Sequence, residues 1–285
     1  MKKRLTKFAQ VAGIMLALVF TFSCSSDDGG GNNGGSSGGG SNTQGGCPNA
    51  TTGNGTLSCG GQTYKTVPIG SQIWMAENLN YIVSGSKCYG DGDKVRDPSG
   101  HLITLSPAEI QANCTTYGRL YNWTTAMVLP DSCGYGDTDD VCGSLISAKH
   151  RGICPSGWHI PSEEDLNVLM EFIGSSYSKG DGWLGAGTKL KAKSGWNNNG
   201  NKSGNGTDDY NFLALPGGMD FGYDNPNVGD FVGAGESGYW WSSSRSWTKR
   251  SGFDAIYIYM SNKNEDAHSD HRDMNARFSI RCVKD

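Results

Sequence analysis

Cys154-Pro155-Ser156-Gly157-Trp158-His159-Ile160-Pro161-Ser162 leads directly into the strongest helical pattern of this 285-residue chain. Ser162 is suited to cap a helix, and Asp165 follows it three positions later. Apolar residues then recur at i, i+3, i+4 and i+7, which is the spacing of one buried helix face. These residues are Leu166, Leu169, Met170 and Ile173. Gly174 ends the predicted helix.

Shorter elements surround this helix. Ser106-Pro107-Ala108-Glu109 predicts a second helix start with a capping box, and this helix ends near Cys114. β-rich segments bounded by Gly and Pro predict strands. These strands fall at 62–83, 239–244, 255–260 and 277–283. Residues 261–276 are predicted to form a polar loop. The order of strands, helices and strands predicts an α+β fold with mixed sheets, short helices and long loops.

The N-terminus has the features of an export signal. Four positive residues occur within residues 2–7, and an apolar run from Val11 to Phe20 follows. That run is shorter than the ~20 apolar residues that span a bilayer. A basic start followed by a short apolar segment predicts a removable signal peptide at residues 1–23.

Cys24 follows a cleavage region that resembles a lipobox, although Thr21 stands where leucine is commoner. The alternative is an ordinary cleavage site. Ser25-Ser26-Asp27-Asp28 resembles the acidic signal that sends lipoproteins of Bacteroides-like bacteria to the outer surface. Residues 25–46 are nearly all Gly, Ser, Asn and Asp, a composition that stays disordered. We predict a lipidated Cys24 and a tether at residues 24–46, with the protein anchored in the outer membrane at the cell surface.

The chain is acidic. Its formal net charge is −4, and removing a signal peptide with four positive and no negative charges leaves −8. Phosphate binding needs clustered Lys and Arg, so the charge argues against nucleic acid as a partner. The lipid anchor is the only predicted contact with the membrane.

The chain contains nine cysteines. With Cys24 lipidated, eight remain, and an even number predicts disulfides in an exported protein. Local loop closure favours three bridges and leaves a fourth, namely Cys47–Cys59, Cys88–Cys114, Cys133–Cys142 and Cys154–Cys282. Eight cysteines allow 105 pairings, so the sequence alone leaves the pairing open. No spacing is C-x-x-C, which argues against metal ligation by cysteine.

Five segments of the chain match one known pattern in their order. They are IWMAENLNY (73–81), YGRLYNW (117–123), CPSGWHIPS (154–162), YWWSS (239–243) and IRCVKD (280–285). Together they resemble the Fibrobacter succinogenes major paralogous domain family over roughly residues 60 to 285. That family is similar to the formylglycine-generating-enzyme branch of C-type-lectin-like folds.

The resemblance implies an irregular, disulfide-stapled C-type-lectin-like domain at residues 47–285. Its chain ends would meet near a central sheet, which a Cys154–Cys282 bridge fits. The segment 159–166 also resembles the start of a helix in the enzyme branch. The resemblance implies a fold and no particular biochemical activity.

Few features point to catalysis. The similar sulfatase-activating enzymes use a pair of cysteines or copper near the end of the fold, whereas Cys282 is single here. There is no H-E-x-x-H motif, nucleophile elbow in a strand–helix context or phosphate loop. His159, before a proline at a helix start, is more often structural. We predict a protein that is not an enzyme and has no catalytic residues. The alternative is an enzyme accessory of the sulfatase-modifying type, which would need a second free thiol or copper near Cys282.

Two segments have residue types that bind metals. One contains six candidate ligands that suit zinc or calcium, namely Glu265, Asp266, His268, Asp270, His271 and Asp273. A solvated polar loop explains the same residues, so no metal site and no cofactor are predicted. Asp208 and Asp209 leave a structural calcium ion as the alternative.

Aromatic and polar residues near the C-terminus predict a ligand-binding face. Aromatic rings stack on sugars and peptides, and polar neighbours orient them. Trp240 and Trp241 point to opposite faces of an alternating strand, so we expect one of them in the core and Trp247 to be more exposed. The predicted contact residues are Tyr239, Trp241, Trp247, His268, Asp270, His271, Arg272, Asp273 and Asn275.

Residues 261–277 also lie where a retroelement diversifies some C-type-lectin-like proteins of bacteria and phages. Such diversification of this segment is a hypothesis.

We predict a surface-exposed lipoprotein whose lectin-like domain binds an extracellular glycan or cell-surface protein. The alternative is a structural envelope protein without a specific ligand.

Overall fold

A computed structural model describes residues 46–47, 50–92, 94–134, 141–180, 182–222, 231–246 and 254–285. All of them belong to one compact unit, Thr43–Asp285. The predicted signal peptide, Cys24, most of the predicted tether and Trp247 lie outside the described residues. Among the described residues, no helix has the length and apolar character needed to cross a membrane.

The described residues form short helices and many strands. The helices are α1 (Pro107–Tyr117), α2 (Trp123–Met127), α3 (Val141–Ser144), α4 (Glu163–Phe172) and α5 (Ala186–Leu190), with a 3-10 turn at Asp131–Gly134. The strands are β1 (Thr51–Gly53), β2 (Thr56–Cys59), β3 (Gln62–Ile69), β4 (Gln72–Met75), β5 (Val95–Arg96), β6 (Leu102–Ile103), β7 (Tyr121–Asn122), β8 (Trp158–His159), β9 (Tyr177–Ser178), β10 (Gly182–Trp183), β11 (Gly217–Asp220), β12 (Phe231–Ala234), β13 (Ser237–Ser246), β14 (Asp254–Ser261), β15 (Ala267–Asp273), β16 (Arg277–Phe278) and β17 (Val283–Lys284).

The strands form two sheets. The smaller sheet has the order β1-β2-β3-β4-β17-β8. The larger has the order β6-β5-β12-β11-β13-β14-β15-β10-β9, and β16 pairs with both β11 and β7. The larger sheet is mixed, because β11 runs parallel to β13 and β12 runs parallel to β5. The predicted α+β class with mixed sheets and short helices is therefore confirmed.

Both predicted helices are present, and each begins with a capping box. The hydroxyls of Ser106 and Ser162 accept hydrogen bonds from the backbone amides of Glu109 and Asp165, at 3.3 and 3.1 Å. The Glu109 and Asp165 carboxylates accept the cap residues' amides, each at 2.8 Å. Helix α1 runs three residues past its predicted end at Cys114. The predicted apolar face of α4 is buried against the larger sheet.

Strand β13 separates two hydrophobic cores. Because successive side chains of a strand point to opposite faces, Trp240 packs with Ile258 and the α4 residues, whereas Trp241 packs with Tyr257 and Phe278. Their exposed fractions are 4% and 0%. The expectation that only one of the two tryptophans lies in the core is wrong, because both faces of the strand are covered.

Two features of the C-terminal region differ from the prediction. The predicted strand 277–283 consists of two short strands, since β16 belongs to the larger sheet and β17 pairs with β4 and β8 in the smaller one. The predicted polar loop 261–276 contains β15, which pairs with β14 at seven positions. Polar side chains on both faces of β15 remove the apolar alternation by which a strand is recognised.

The three bridges that loop closure favoured and the fourth that they leave are all formed: Cys47–Cys59, Cys88–Cys114, Cys133–Cys142 and Cys154–Cys282. The last joins cysteines 128 residues apart. It holds the CPSGWHIPS segment beside the C-terminal strand, where Val283 pairs with His159 and Lys284 with Trp158. This bridge therefore closes the smaller sheet.

His159 connects the start of α4 to the C-terminal residue. It is buried, with Nδ1 2.7 Å from Asp285 Oδ1 and Nε2 3.3 Å from Asp165 Oδ2. Burial opposes protonation of His159, but the hydrogen bonds and charges of both aspartates outweigh it and raise the pKa of His159. Burial also opposes ionisation of Asp165, yet hydrogen bonds from His159 and Ser162 lower its pKa to about 2.

Removing the Cys154–Cys282 bridge should destabilise the protein more than removing the Cys133–Cys142 bridge. In the chain-entropy model the long loop contributes about 5 kcal/mol to the free energy of unfolding and the short loop about 2.6 kcal/mol. Denaturant titrations of the double alanine variants C154A/C282A and C133A/C142A measure both values. Equal losses would contradict the expected dependence on loop length.

The His159→Gln substitution should destabilise the protein in a pH-dependent manner. The folded-state pKa of His159 is raised above its unfolded value of about 6.5. The stability that the protonated imidazole contributes to the fold is therefore fully present below about pH 6.5. This stabilisation is lost as the pH rises through the folded-state pKa. The gap in unfolding free energy between wild type and variant should be widest at about pH 5.5 and narrow towards about pH 9. Urea titrations at constant ionic strength test this, and a constant gap would refute it.

Candidate functional site

A groove of about 530 Å³ lies between α4 and one end of the larger sheet. We call it the α4 groove. Helix α4, the β9–β10 hairpin and strands β13 to β15 all contribute to its walls. It is lined by Glu163, Asn167, Glu171, Tyr177, Trp183, Ser246, Ile256, Ser269, Asp270 and His271.

The helical wall of the groove presents polar side chains. Glu163, Asn167 and Glu171 are spaced i, i+4 and i+8, so they lie in one row along the helix. The buried apolar face of α4 described above adjoins this row on the helix surface. Packing of that face against the sheet therefore turns two carboxylates and an amide towards the groove.

The second wall is an aromatic pair on the β9–β10 hairpin. Tyr177 and Trp183 are directly opposed across the two strands, and their ring centroids are 5.3 Å apart. The Tyr177 side chain is 58% exposed. Trp183 also pairs with Ala267 of β15, so the hairpin continues the larger sheet. Gly182 permits this approach, because a Cβ atom there would lie 2.5 Å from the Ala267 carbonyl oxygen.

The third wall is formed by β14 and β15. His271 stands opposite Ile256 in the strand register. Its Nδ1 lies 3.3 Å from Asp270 Oδ1, and its Nε2 lies 3.7 Å from Asp254 Oδ2. Asp270 is 55% exposed, whereas Asp254 is largely covered. The imidazole is thus held between two carboxylates at the groove.

The sequence model of the Fibrobacter succinogenes major domain matches residues 67–284. The chain belongs to this family. No curated protein and no solved structure matches it. The matched range includes every residue of the α4 groove, so the groove is part of the Fibrobacter succinogenes major domain.

Three of the motifs of this Fibrobacter succinogenes major domain meet at Arg281. The Arg281 guanidinium is buried and donates to Asn78 Oδ1 at 2.8 Å, to the Leu213 carbonyl at 2.7 Å and to the Phe212 carbonyl. Asn78 Oδ1 also accepts a hydrogen bond from Trp240 Nε1 at 2.8 Å. Burial lowers the pKa of Arg281 to about 9. This contact joins the IWMAENLNY, YWWSS and IRCVKD segments.

The predicted ligand-contact residues fall into separate places. Asp270 and His271 line the α4 groove. Tyr239, His268 and Arg272 lie on the opposite face of the sheet, where His268 stacks on Tyr259 at 4.8 Å. The prediction of one continuous face from these residues is therefore wrong. By strand alternation Asp270 belongs with His268 and Arg272, but its Oδ1 accepts the His271 amide at 2.8 Å, which keeps the carboxylate beside His271.

Three other predicted contacts lack access to the groove or help to form a turn. Trp241 is fully buried and donates from Nε1 to the Tyr121 carbonyl at 2.9 Å, so its assignment as a ligand contact is corrected. Asp273 Oδ1 accepts the Asn275 amide at 2.9 Å, which shapes the turn after β15. Trp247 lies outside the described residues.

The candidate metal ligands have other hydrogen-bonding partners. Asp266 Oδ1 accepts the Gly185 amide at 2.7 Å, and Asp208 Oδ1 accepts the Leu213 amide at 2.8 Å. Asp209 is exposed beside Asp208. Within the described part of the chain, no three His, Cys, Asp or Glu side chains are grouped as metal ligands.

Sequence reasoning missed eight of the ten groove residues, among them Glu163, Asn167, Glu171, Tyr177 and Trp183. The polar row was present in the helical period of α4. The aromatic pair was indicated by two aromatic residues flanking a glycine-containing turn, a hairpin pattern. That the hairpin joins β15 was not visible, because β15 itself has no strand pattern.

Lys191 holds the β14–β15 turn in place. It is buried, and its Nζ donates to the Ser261 and Asn264 carbonyls, each at 2.9 Å. The ammonium also lies 5.2 Å from the centre of the Trp196 ring. Burial lowers the pKa of Lys191. This cation therefore fixes the turn from which β15 begins.

Lys191→Met should lower the free energy of unfolding by roughly 2 to 4 kcal/mol, because two buried carbonyls lose their donor. Lys193→Met is a matched control at an exposed position, with an expected change within about 0.5 kcal/mol. Denaturant titration measures both variants. Equal stability of the two variants would show that the Lys191 contacts do not anchor the turn.

Proposed function

We propose that this protein is a non-catalytic, lipid-anchored binding protein of the bacterial cell surface that holds an extracellular glycan in the α4 groove. The observation that carries the proposal is the Tyr177–Trp183 pair, with Tyr177 58% exposed and Trp183 half-buried, beside a row of polar side chains. The export, lipidation and surface location rest on the N-terminal sequence.

The groove combines the two kinds of contact that a sugar requires. The C–H faces of a sugar ring pack on aromatic rings, and its hydroxyls bond to carboxylate, amide and imidazole groups. Tyr177 and Trp183 supply the rings, while the α4 row and β15 supply the polar groups. The volume of about 530 Å³ falls in the range of roughly 300–1,000 Å³ typical of small-ligand sites.

The pairing of the cysteines supports a binding role over sulfatase-type chemistry. Cys282 is bonded to Cys154, and the other six cysteines from Cys47 to Cys142 are also paired. An accessory of the sulfatase-modifying type would need a free thiol or copper near Cys282. The 58% exposed Tyr177 ring in a polar groove favours a ligand over a purely structural envelope role.

The structure also limits where the hypothesised retroelement could vary residues 261–277. Ala267, Met274 and Ala276 are buried in the cores. Variation compatible with the fold would be confined to the positions between them, which include Asp270 and His271 of the groove. Such diversification would thus alter the groove that we propose as the glycan site.

Tyr177→Ala should weaken glycan binding about tenfold, because one face of the aromatic pair is lost. A glycan array with the purified full chain identifies a ligand, and calorimetric titration with that ligand measures the affinity. Phe172→Ala serves as a control, since Phe172 is exposed on α4 but does not line the groove.

Unchanged affinity of Tyr177→Ala would move the site away from the groove. Absence of saturable binding to any glycan, in a sample with all four disulfides intact, would refute the glycan proposal.

A further inference from the structure

We infer that the α4 groove prefers saccharides bearing amino groups over neutral saccharides, and rejects saccharides bearing carboxylates or sulfates. This inference rests on the proposed glycan-binding function and names the class of ligand. It is drawn from the charges and rings that line the groove.

The described lining of the groove carries three carboxylates and no Lys or Arg. Glu163 and Glu171 belong to the α4 row, and Asp270 lies on the β15 side. All three are exposed to solvent. An ammonium group in the groove would therefore approach negative charge from both sides, whereas an anionic sugar would meet like charge, which disfavours binding.

A fourth carboxylate, Asp254, is largely covered and lies 3.7 Å from His271 Nε2. His271 thus has a carboxylate near each ring nitrogen. The imidazole is already placed to interact with Asp254 and Asp270. The two glutamates on α4 are left as the carboxylates most accessible to an incoming ammonium group.

The aromatic pair favours the same ligand class. A cation near the face of a Trp or Tyr ring is attracted by the negative face of the ring, and the attraction grows with desolvation. Tyr177 and Trp183 share the groove with Glu171 and Asp270. An amino sugar can stack its ring on the aromatic pair and direct its ammonium group towards the carboxylates, whereas an N-acetylated sugar has lost that charge.

Neither glutamate on α4 is needed to pack the core. Glu163 and Glu171 are exposed and form no ion pair with described residues, and Glu163 adds only a favourable charge at a helix start that Ser162 and Asp165 already cap. Both side chains lie outside the buried apolar face. Replacing them with glutamine should therefore alter the groove charge and leave the core unchanged.

The test compares three tetrasaccharides of equal length with the purified full chain at about pH 6, where the carboxylates are ionised and most amino groups of a glucosamine oligomer are protonated. They are β-1,4-linked glucosamine, β-1,4-linked N-acetylglucosamine and α-1,4-linked galacturonic acid. The glucosamine tetramer should bind roughly tenfold more tightly than its N-acetylated counterpart. This preference should shrink as salt is raised, because exposed charges are screened. The galacturonic acid tetramer should not bind.

The charge variant is Glu163→Gln combined with Glu171→Gln and Asp270→Asn. It should bind the glucosamine tetramer no more tightly than the N-acetylglucosamine tetramer, so that the wild-type preference is lost. Glu164→Gln is the matched control, because Glu164 is exposed on the same helix turn and does not line the groove. It should keep the wild-type preference.

The outcomes separate the two proposals. Equal binding of glucosamine and N-acetylglucosamine tetramers, or tighter binding of galacturonic acid, would overturn the charge preference and leave glycan binding intact. A preference that survives the triple substitution would also overturn it. Failure to bind any of the three, together with an empty glycan array, would refute the proposed function itself.

Discussion

A buried guanidinium holds the end of the chain in the middle of the domain. Burying a charge costs roughly several kcal/mol unless it is hydrogen-bonded, and Arg281 forms no ion pair with a carboxylate of the described residues. It is stabilised by Asn78, two backbone carbonyls and the rings of Phe212 and Trp240, at 4.4 and 5.7 Å. These groups come from separate segments, so none of them can move away without leaving the charge unsatisfied. This requirement brings motifs that are distant in the sequence into contact.

Lys191 is a second buried cation, and it lies near the groove. Like Arg281, it is stabilised by two carbonyls and an aromatic ring, here that of Trp196, in place of a carboxylate. The arrangement matters because β15 has almost no apolar side chain to bury. Only Ala267, its first residue, lies in a core. The strand is held instead by its ladders to β14 and β10 and by the turn that Lys191 fixes. A polar strand can therefore be regular, with side chains left free for a ligand.

The sequence predicted those features that depend on neighbouring residues. The capping residues of α1 and α4, the buried face of α4 and the three short-loop disulfides all follow from local spacing. It failed where distant partners decide the outcome. The residues of β15 predict a loop, because strand recognition relies on apolar alternation. Trp241 is predicted as a ligand contact, because the sequence does not show that Phe278 and Tyr257 bury it. For the same reason, only Asp270 and His271 of the groove were anticipated.

The groove keeps its ligand contacts apart from the residues that maintain the fold. Its three walls are anchored separately, by the buried face of α4, by the close approach at Gly182 and by the β15 ladders. A site that is already formed loses less conformational entropy when a ligand binds. The side chains that would meet the ligand, such as Tyr177, Glu171 and Asp270, are exposed and contribute little to the cores. Under the proposed function, substitution at these positions would change which saccharide is bound while Arg281, Lys191 and the disulfides preserve the shape of the groove.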